Sequence, residues 1–168
     1  VRGMCDTMGP ADCLGDEACN PRALTVRLSY ELEVIRGEMI GRPAKQPRVT
    51  QDIDAMIVWM ADTSTLREGA MYSIKHTTRT ARAKVRDVKY RLDINTLHRD
   101  ETASGLTTNE IGRVTLRTTA PLFVDEYRRN RTTGSFILVD EDTNATVGAG
   151  MVLGLALIHI SEPTRLLS

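Results

Sequence analysis

The densest run of chemically capable side chains is Tyr127-Arg128-Arg129-Asn130-Arg131. Three guanidiniums this close together, Arg128, Arg129 and Arg131, make a fork-rich loop able to hold an anion, because each offers paired donors. The plainer alternative is a solvated hairpin loop whose charge is partly balanced by Asp125 and Glu126. No set of residues assembles a catalytic or metal centre. His76 and His98 have no Ser or Cys partner nearby in sequence and are not read as general bases. Asp93, Asp100 and Glu101 do not form a convincing carboxylate pair. Cys5, Cys13 and Cys19 lack a CxxC spacing, and the nearest histidine is His76, so they are read as free structural thiols. Trp59 sits among Ile57, Val58 and Met60 and is assigned to the core. The expected catalytic, cofactor-binding and metal residues are therefore none.

The elements that must carry the arginine loop are strands. Before it, Val114, Leu116 and Thr118 alternate with Arg113, Thr115 and Arg117. After it, Phe136 and Leu138 alternate with Ile137 and Val139. This period of two is the mark of a half-buried strand. Residues 140–144 supply turn chemistry before a last apolar strand. Further upstream, residues 52–62 (DIDAMIVWMAD) are apolar on both faces, as in a strand buried on two sides. Residues 66–70 (LREGA) read as a turn. Strand-like runs follow at 71–76 and 79–88, with Ala81, Ala83 and Val85 on one face. Val88 breaks that parity and predicts a bulge or a strand end, and Gly112 is read similarly. Short strands separated by turns imply an all-β fold, an antiparallel barrel closed or nearly so.

Composition narrows the function classes. In 168 residues, Lys plus Arg and Asp plus Glu are equal at 22 each, and aromatic residues make up 4%. Lacking a basic surplus and stacking surface, the chain is not expected to bind nucleic acid. No apolar run is long enough to cross a bilayer as a helix, so no membrane partner is expected. An odd number of cysteines without a paired motif suits a reducing cytoplasm.

Three blocks carry a family resemblance. They are DIDAMIVWMAD (52–62), KHTTRTARAKVRDVKYRLDINTL (75–97), and NEIGRV through the RRNR loop and TGSFILVD to ATVGAGM (109–151). Together they resemble the last β-barrel domain of the large, GTP-binding subunit of bacterial sulfate adenylyltransferase, a relative of the elongation-factor GTPases. Thr77 stands where that family usually has glycine. Upstream, residues 23–40 resemble the closing strands of the preceding barrel, with Arg36-Gly37-Glu38 as its typical turn. The phosphate loop GxxxxGK[ST] and the guanine motif NKxD are absent, and Asp12-Cys13-Leu14-Gly15 matches DxxG by letters alone.

The resemblance implies four segments: a C-terminal remnant of barrel domain II over 1–42, a linker over 43–51, barrel domain III over 52–153, and a tail over 154–168. Within the tail, LIHISEPTR (157–165) looks like a translated sequencing-library adapter and is set aside. It also implies that the complete subunit hydrolyses GTP, with Mg2+, in a separate N-terminal domain to drive adenosine 5′-phosphosulfate formation from ATP and sulfate. The expected partners are that GTPase domain and a small catalytic subunit, either of which the arginine loop would face. The alternative is an RNA-binding barrel of a translation elongation factor, whose last strand also resembles VGAGMV.

Overall fold

The computed structural model describes residues 33–39 and 47–154, together with the backbone of 4–5, 26–27 and 155. The chain divides into two compact units, Val1–Ile35 and Arg36–Ser168. In the first, β1 (Met4–Cys5) and β2 (Val26–Arg27) pair antiparallel as a two-stranded sheet. That pair is no barrel by itself. The rest of the expected domain II strands, and the adapter-like tail beyond Leu155, lie outside the described residues. The turn expected at Arg36-Gly37-Glu38 is present, with Arg36 bridged to Glu38.

The second unit is a closed barrel. Its strands are β3 (Arg48–Trp59), β5 (Met71–His76), β6 (Arg79–Leu92), β9 (Ile111–Val124), β10 (Ser135–Val139) and β11 (Thr146–Leu155). Their order is β5-β10-β11-β3-β9-β6, and β5 also pairs with β6, which closes the ring. All these pairings are antiparallel. Three short strands cap the β3-exit end: β4 (Leu66–Arg67) pairs with β8 (Gly105–Leu106), and β7 (Arg99–Asp100) extends β6.

Alternation decides which side chains fill the interior. Along β3, Ile53, Ala55, Ile57 and Trp59 are all fully buried. On the opposite face Met56 and Val58 are only part-buried, so the two-sided apolarity of this strand is not fully covered within the barrel. Ile74, Val85, Val114, Leu116 and Leu138 join the same core. Trp59 meets Tyr72 edge-on at 5.3 Å between ring centroids and donates its indole N–H to the Ser64 carbonyl at 2.7 Å. A buried indole with its one donor satisfied is a stable core residue.

Several expectations need revision. Residues 48–51 of the presumed linker are strand, and β3 starts at Arg48. Within the stretch read as a turn at 66–70, only residues 68–69 are turn. Leu66 is fully buried and pairs with Leu106, so the two plug one end of the barrel. Val88 does accompany a bulge, since the β6–β9 register shifts on both sides of it. Gly112 does not: its pairing is continuous, and it is small because a Cβ there would lie 2.6 Å from Leu106 Cδ2 and 2.8 Å from the Tyr90 carbonyl oxygen. Val139, expected to face outward, is buried because the β10–β11 register slips between Leu138 and Val139.

Two loops at the plugged end share one architecture. Asp93 Oδ1 accepts the backbone N–H groups of Asn95 and Thr96, and the Leu97 N–H donates to the Asp93 carbonyl at 2.8 Å. Asp140 Oδ1 likewise accepts from Asp142 and Thr143, and the Asn144 N–H donates to the Asp140 carbonyl at 3.0 Å. The fifth residue of each loop has φ 57°, Leu97 in one and Asn144 in the other. Short polar side chains satisfying their own backbone are what make Asp and Asn turn formers.

Candidate functional site

The arginine loop joins β9 to β10 and is held from below by backbone and side-chain bonds. Arg129 and Asn130 donate their N–H groups to the Glu126 carbonyl at 2.8 and 3.1 Å, forming a single helical turn. Thr132 N–H donates to Asn130 Oδ1 at 3.1 Å, and Ser135 Oγ donates to the Arg131 carbonyl at 2.7 Å. Tyr127 N–H reaches the Val152 carbonyl on β11 at 2.9 Å, and Val152 N–H returns to Gly134 at 2.8 Å. Gly134 is obligatory here: a Cβ would stand 2.5 Å from Tyr127 Cα and 2.6 Å from the Asn130 carbonyl oxygen. The loop is therefore a built element, with most of its polar groups engaged.

A second anchor comes from β5, the strand paired with β10. His76, 1% exposed, places Nε2 2.8 Å from the Thr133 carbonyl oxygen. A carbonyl only accepts, so Nε2 carries the proton. Thr133 Oγ1 donates to Asp125 Oδ2 at 2.8 Å. His76 thus has a structural partner in the Thr133 carbonyl.

All three guanidinium-bearing residues are exposed. Arg131 lies over the Tyr127 ring at 6.0 Å, within reach of a cation–π attraction. Among the described residues none of the three forms an ion pair, although Asp125 and Glu126 are close in sequence. Four arginines elsewhere differ. Arg113 grips Asp54 through Nε at 3.0 Å, Arg117 meets Asp52 at 3.0 Å, Arg91 bridges Asp100 and Glu110 at 2.9 and 2.8 Å, and Arg82 pairs with Glu141. Hydrogen bonding to Asp54 pushes the Arg113 guanidinium above its already high ordinary pKa.

Sequence reasoning missed two neighbours of the loop. Arg48 starts β3 opposite Val124, and it lines a small cavity with Asp125, Glu126 and Arg129. Arg79 starts β6 and lies over the Phe123 ring at 5.7 Å. Neither could be placed beside the loop without knowing which strand ends meet.

The remaining candidates separate. His98 is exposed. Asp93 and Asp100 are turn and ion-pair residues, not a catalytic dyad; the Asn95 N–H and the Thr102 hydroxyl, respectively, lead in holding their carboxyls below the usual range. Glu101 is exposed. No group of three or more His, Cys, Asp or Glu among the described residues could hold a metal ion. With no phosphate loop in the sequence either, these residues do not fit GTP or Mg2+.

Known proteins share this chain's sequence and fold. The bifunctional enzyme CysN/CysC of Mycobacterium tuberculosis is 58% identical over 137 residues, covering 82% of this chain and 22% of the relative. Sulfate adenylyltransferase subunit 1 of Aeromonas hydrophila is 43% identical over 142 residues, covering 84% of this chain and 30% of the relative. The chain thus spans less than a third of either relative's length. The crystal structure of Sup35 with GMPPNP superposes with a TM-score of 0.68 at 20% identity, over 79% of this chain and 32% of Sup35, a likeness of fold. The family described as GTP-eEF1A C-terminal domain-like matches residues 52–153, which take in most of β3, all of β4 to β10 and most of β11, and the chain belongs to that family.

Proposed function

We propose that this chain is the C-terminal barrel region of the GTP-binding subunit of a sulfate adenylyltransferase. The observation that carries the reading is 58% and 43% identity, over more than four-fifths of the chain, to proteins named CysN/CysC and sulfate adenylyltransferase subunit 1. The parent subunit would use GTP hydrolysis to drive adenylyl transfer from ATP to sulfate in the cytoplasm. GTP and Mg2+ would sit in a preceding domain, and transfer would occur on a small catalytic subunit. The barrel contributes contact surface only. The β1–β2 pair is in keeping with residues 1–42 being closing strands of a second barrel, domain II. The translation-factor alternative is supported by the fold likeness to Sup35, but at 20% identity that likeness carries no function.

Within this reading, the exposed loop of Arg128, Arg129 and Arg131 faces the GTPase domain or the small subunit. The test is made in the complete subunit, expressed with its small partner. The triple alanine variant is expected to fold while losing assembly, or losing the coupling of GTP hydrolysis to adenylyl transfer. Desolvated interfacial charges are worth about 2 kcal/mol or more each when removed, whereas solvated ones contribute little. Full assembly with full coupling in that variant would overturn the role given to the loop.

A further inference from the structure

The chain is neutral overall, but its barrel is not neutral from end to end. The strands β3 and β6 begin, and β9 ends, at one end, which therefore gathers Arg48, Arg79, Arg128, Arg129 and Arg131. The opposite end carries Asp93, Asp100, Glu110, Asp140 and Glu141. The two ends use their charge differently. Every one of those five carboxylates has work inside the fold: Asp93 and Asp140 close turns, Asp100 and Glu110 hold Arg91, and Glu141 holds Arg82. Among the described residues none of the five arginines at the other end has a carboxylate partner. Five like charges on one end face repel each other, and the two carboxylates beside them, Asp125 and Glu126, offset only part of that charge without pairing with any of the five.

We propose that this end of the barrel is a docking face for an acidic protein surface. The inference rests on the reading of the chain as a contact domain and names the chemistry of what it contacts. Protein is favoured over nucleic acid by what surrounds the guanidiniums. The two aromatic rings nearby are half-buried and each already has a guanidinium against it, Phe123 that of Arg79 and Tyr127 that of Arg131, so little ring surface is left for stacking bases. Asp125 and Glu126 interrupt the cationic surface and would oppose a continuous phosphate backbone. A folded partner can place its own carboxylates between such anions, where a polyphosphate chain cannot. The loop is also pre-shaped by Gly134, His76 and Thr133, so docking would order little new backbone.

The full chain is titrated with a fluorescent acidic peptide of alternating Glu and Ser, in low salt, with duplex RNA and inorganic polyphosphate as parallel arms. The expected result is saturable peptide binding that weakens at least about tenfold when Arg79, Arg128, Arg129 and Arg131 are replaced by alanine. A control removing Lys84, Arg86 and Lys89 from the outer wall of β6 should leave affinity within about twofold. Arg128→Glu alone, at an exposed position with no side-chain bond, should weaken binding with an unchanged melting curve and so guards against misfolding of the quadruple variant. Equal losses from the wall and end variants, or tighter binding of RNA or polyphosphate than of peptide, would overturn the proposal. Absence of peptide binding alongside normal assembly of the complete subunit would sink this inference alone. Peptide binding without GTP-coupled adenylyl transfer in the complete subunit would sink the functional reading instead.

Discussion

The imidazole of His76 and the carbonyl of Thr133 lie 2.8 Å apart, 57 positions apart in sequence, and join the β5–β6 hairpin to the arginine loop. The bond is buried, and its loss leaves the Thr133 carbonyl only the longer bond from the Asp125 N–H at 3.3 Å. His76→Ala is expected to cost about 2–4 kcal/mol, chiefly from the vacated buried volume and in smaller part from the lost hydrogen bond. Urea unfolding would measure it, and amide exchange should show residues 127–134 opening first. A loss below that of an ordinary surface change would mean the loop is held by its own turn alone.

Leu97 occupies the left-handed backbone position that its twin loop gives to Asn144. A branched side chain there is strained by about 1–2 kcal/mol, and asparagine tolerates the conformation better. Leu97 is 72% exposed, so replacing it forfeits little packing. Leu97→Asn should therefore raise stability by about 1 kcal/mol. Thr77, at φ 51°, starts the two-residue loop between His76 and Arg79, where the resemblance puts glycine. Thr77→Gly should stabilise for the same reason. Thermal melts of both variants below the parent would refute the strain argument.

Gly112 marks a close approach and not a bulge. Gly112→Ala should cost about 1–3 kcal/mol, the usual range for overpacking, because the new methyl meets Leu106 and the Tyr90 carbonyl. Shortening the clashing neighbour in a double variant, Leu106→Ala with Gly112→Ala, should cost less than the sum of the two single changes. Simple additivity would place the clash elsewhere.

Acid should weaken the barrel through its turns. The Thr143 N–H is the main group holding the Asp140 carboxyl below its ordinary range, as the Asn95 N–H does for Asp93 and the Thr102 hydroxyl for Asp100. A depressed pKa means the folded state takes up protons less readily than the unfolded chain. The contribution is therefore complete above the unfolded value, about pH 4, and is lost as pH falls through the lower folded values. Denaturation midpoints at neutral pH and near pH 3 should differ more in the parent than in the variant with all three residues changed to Asn. Equal differences would remove these turns from the account.

The barrel strands were legible because period-two burial leaves its trace within a single segment. The core positions Val114, Leu116, Phe136 and Leu138 are read directly from it. Leu66 with Leu106 could not be read so, since two-residue strands 40 positions apart carry no period. Pro43 and Pro47 disguised the start of β3, whose first residues lie just beyond them. The arginine loop was visible as a cluster, but Arg48 and Arg79 join it only through strand pairing. Neutral composition hid the charge separation for the same reason: a sum over letters holds no information about which ends meet.

In the ring, β3 lies between β9 and β11, so the first long strand of this barrel is walled in by its last. Synthesis delivers β3 some ninety positions before β11, which starts at Thr146. During that interval one edge of an apolar strand has no neighbour, and the ring stays open however well the intervening hairpins have formed. The ring can close only once β11 is there to fill the gap between β10 and β3. A nascent chain stopped before residue 146 therefore holds an exposed β3 edge for any protease or chaperone to find.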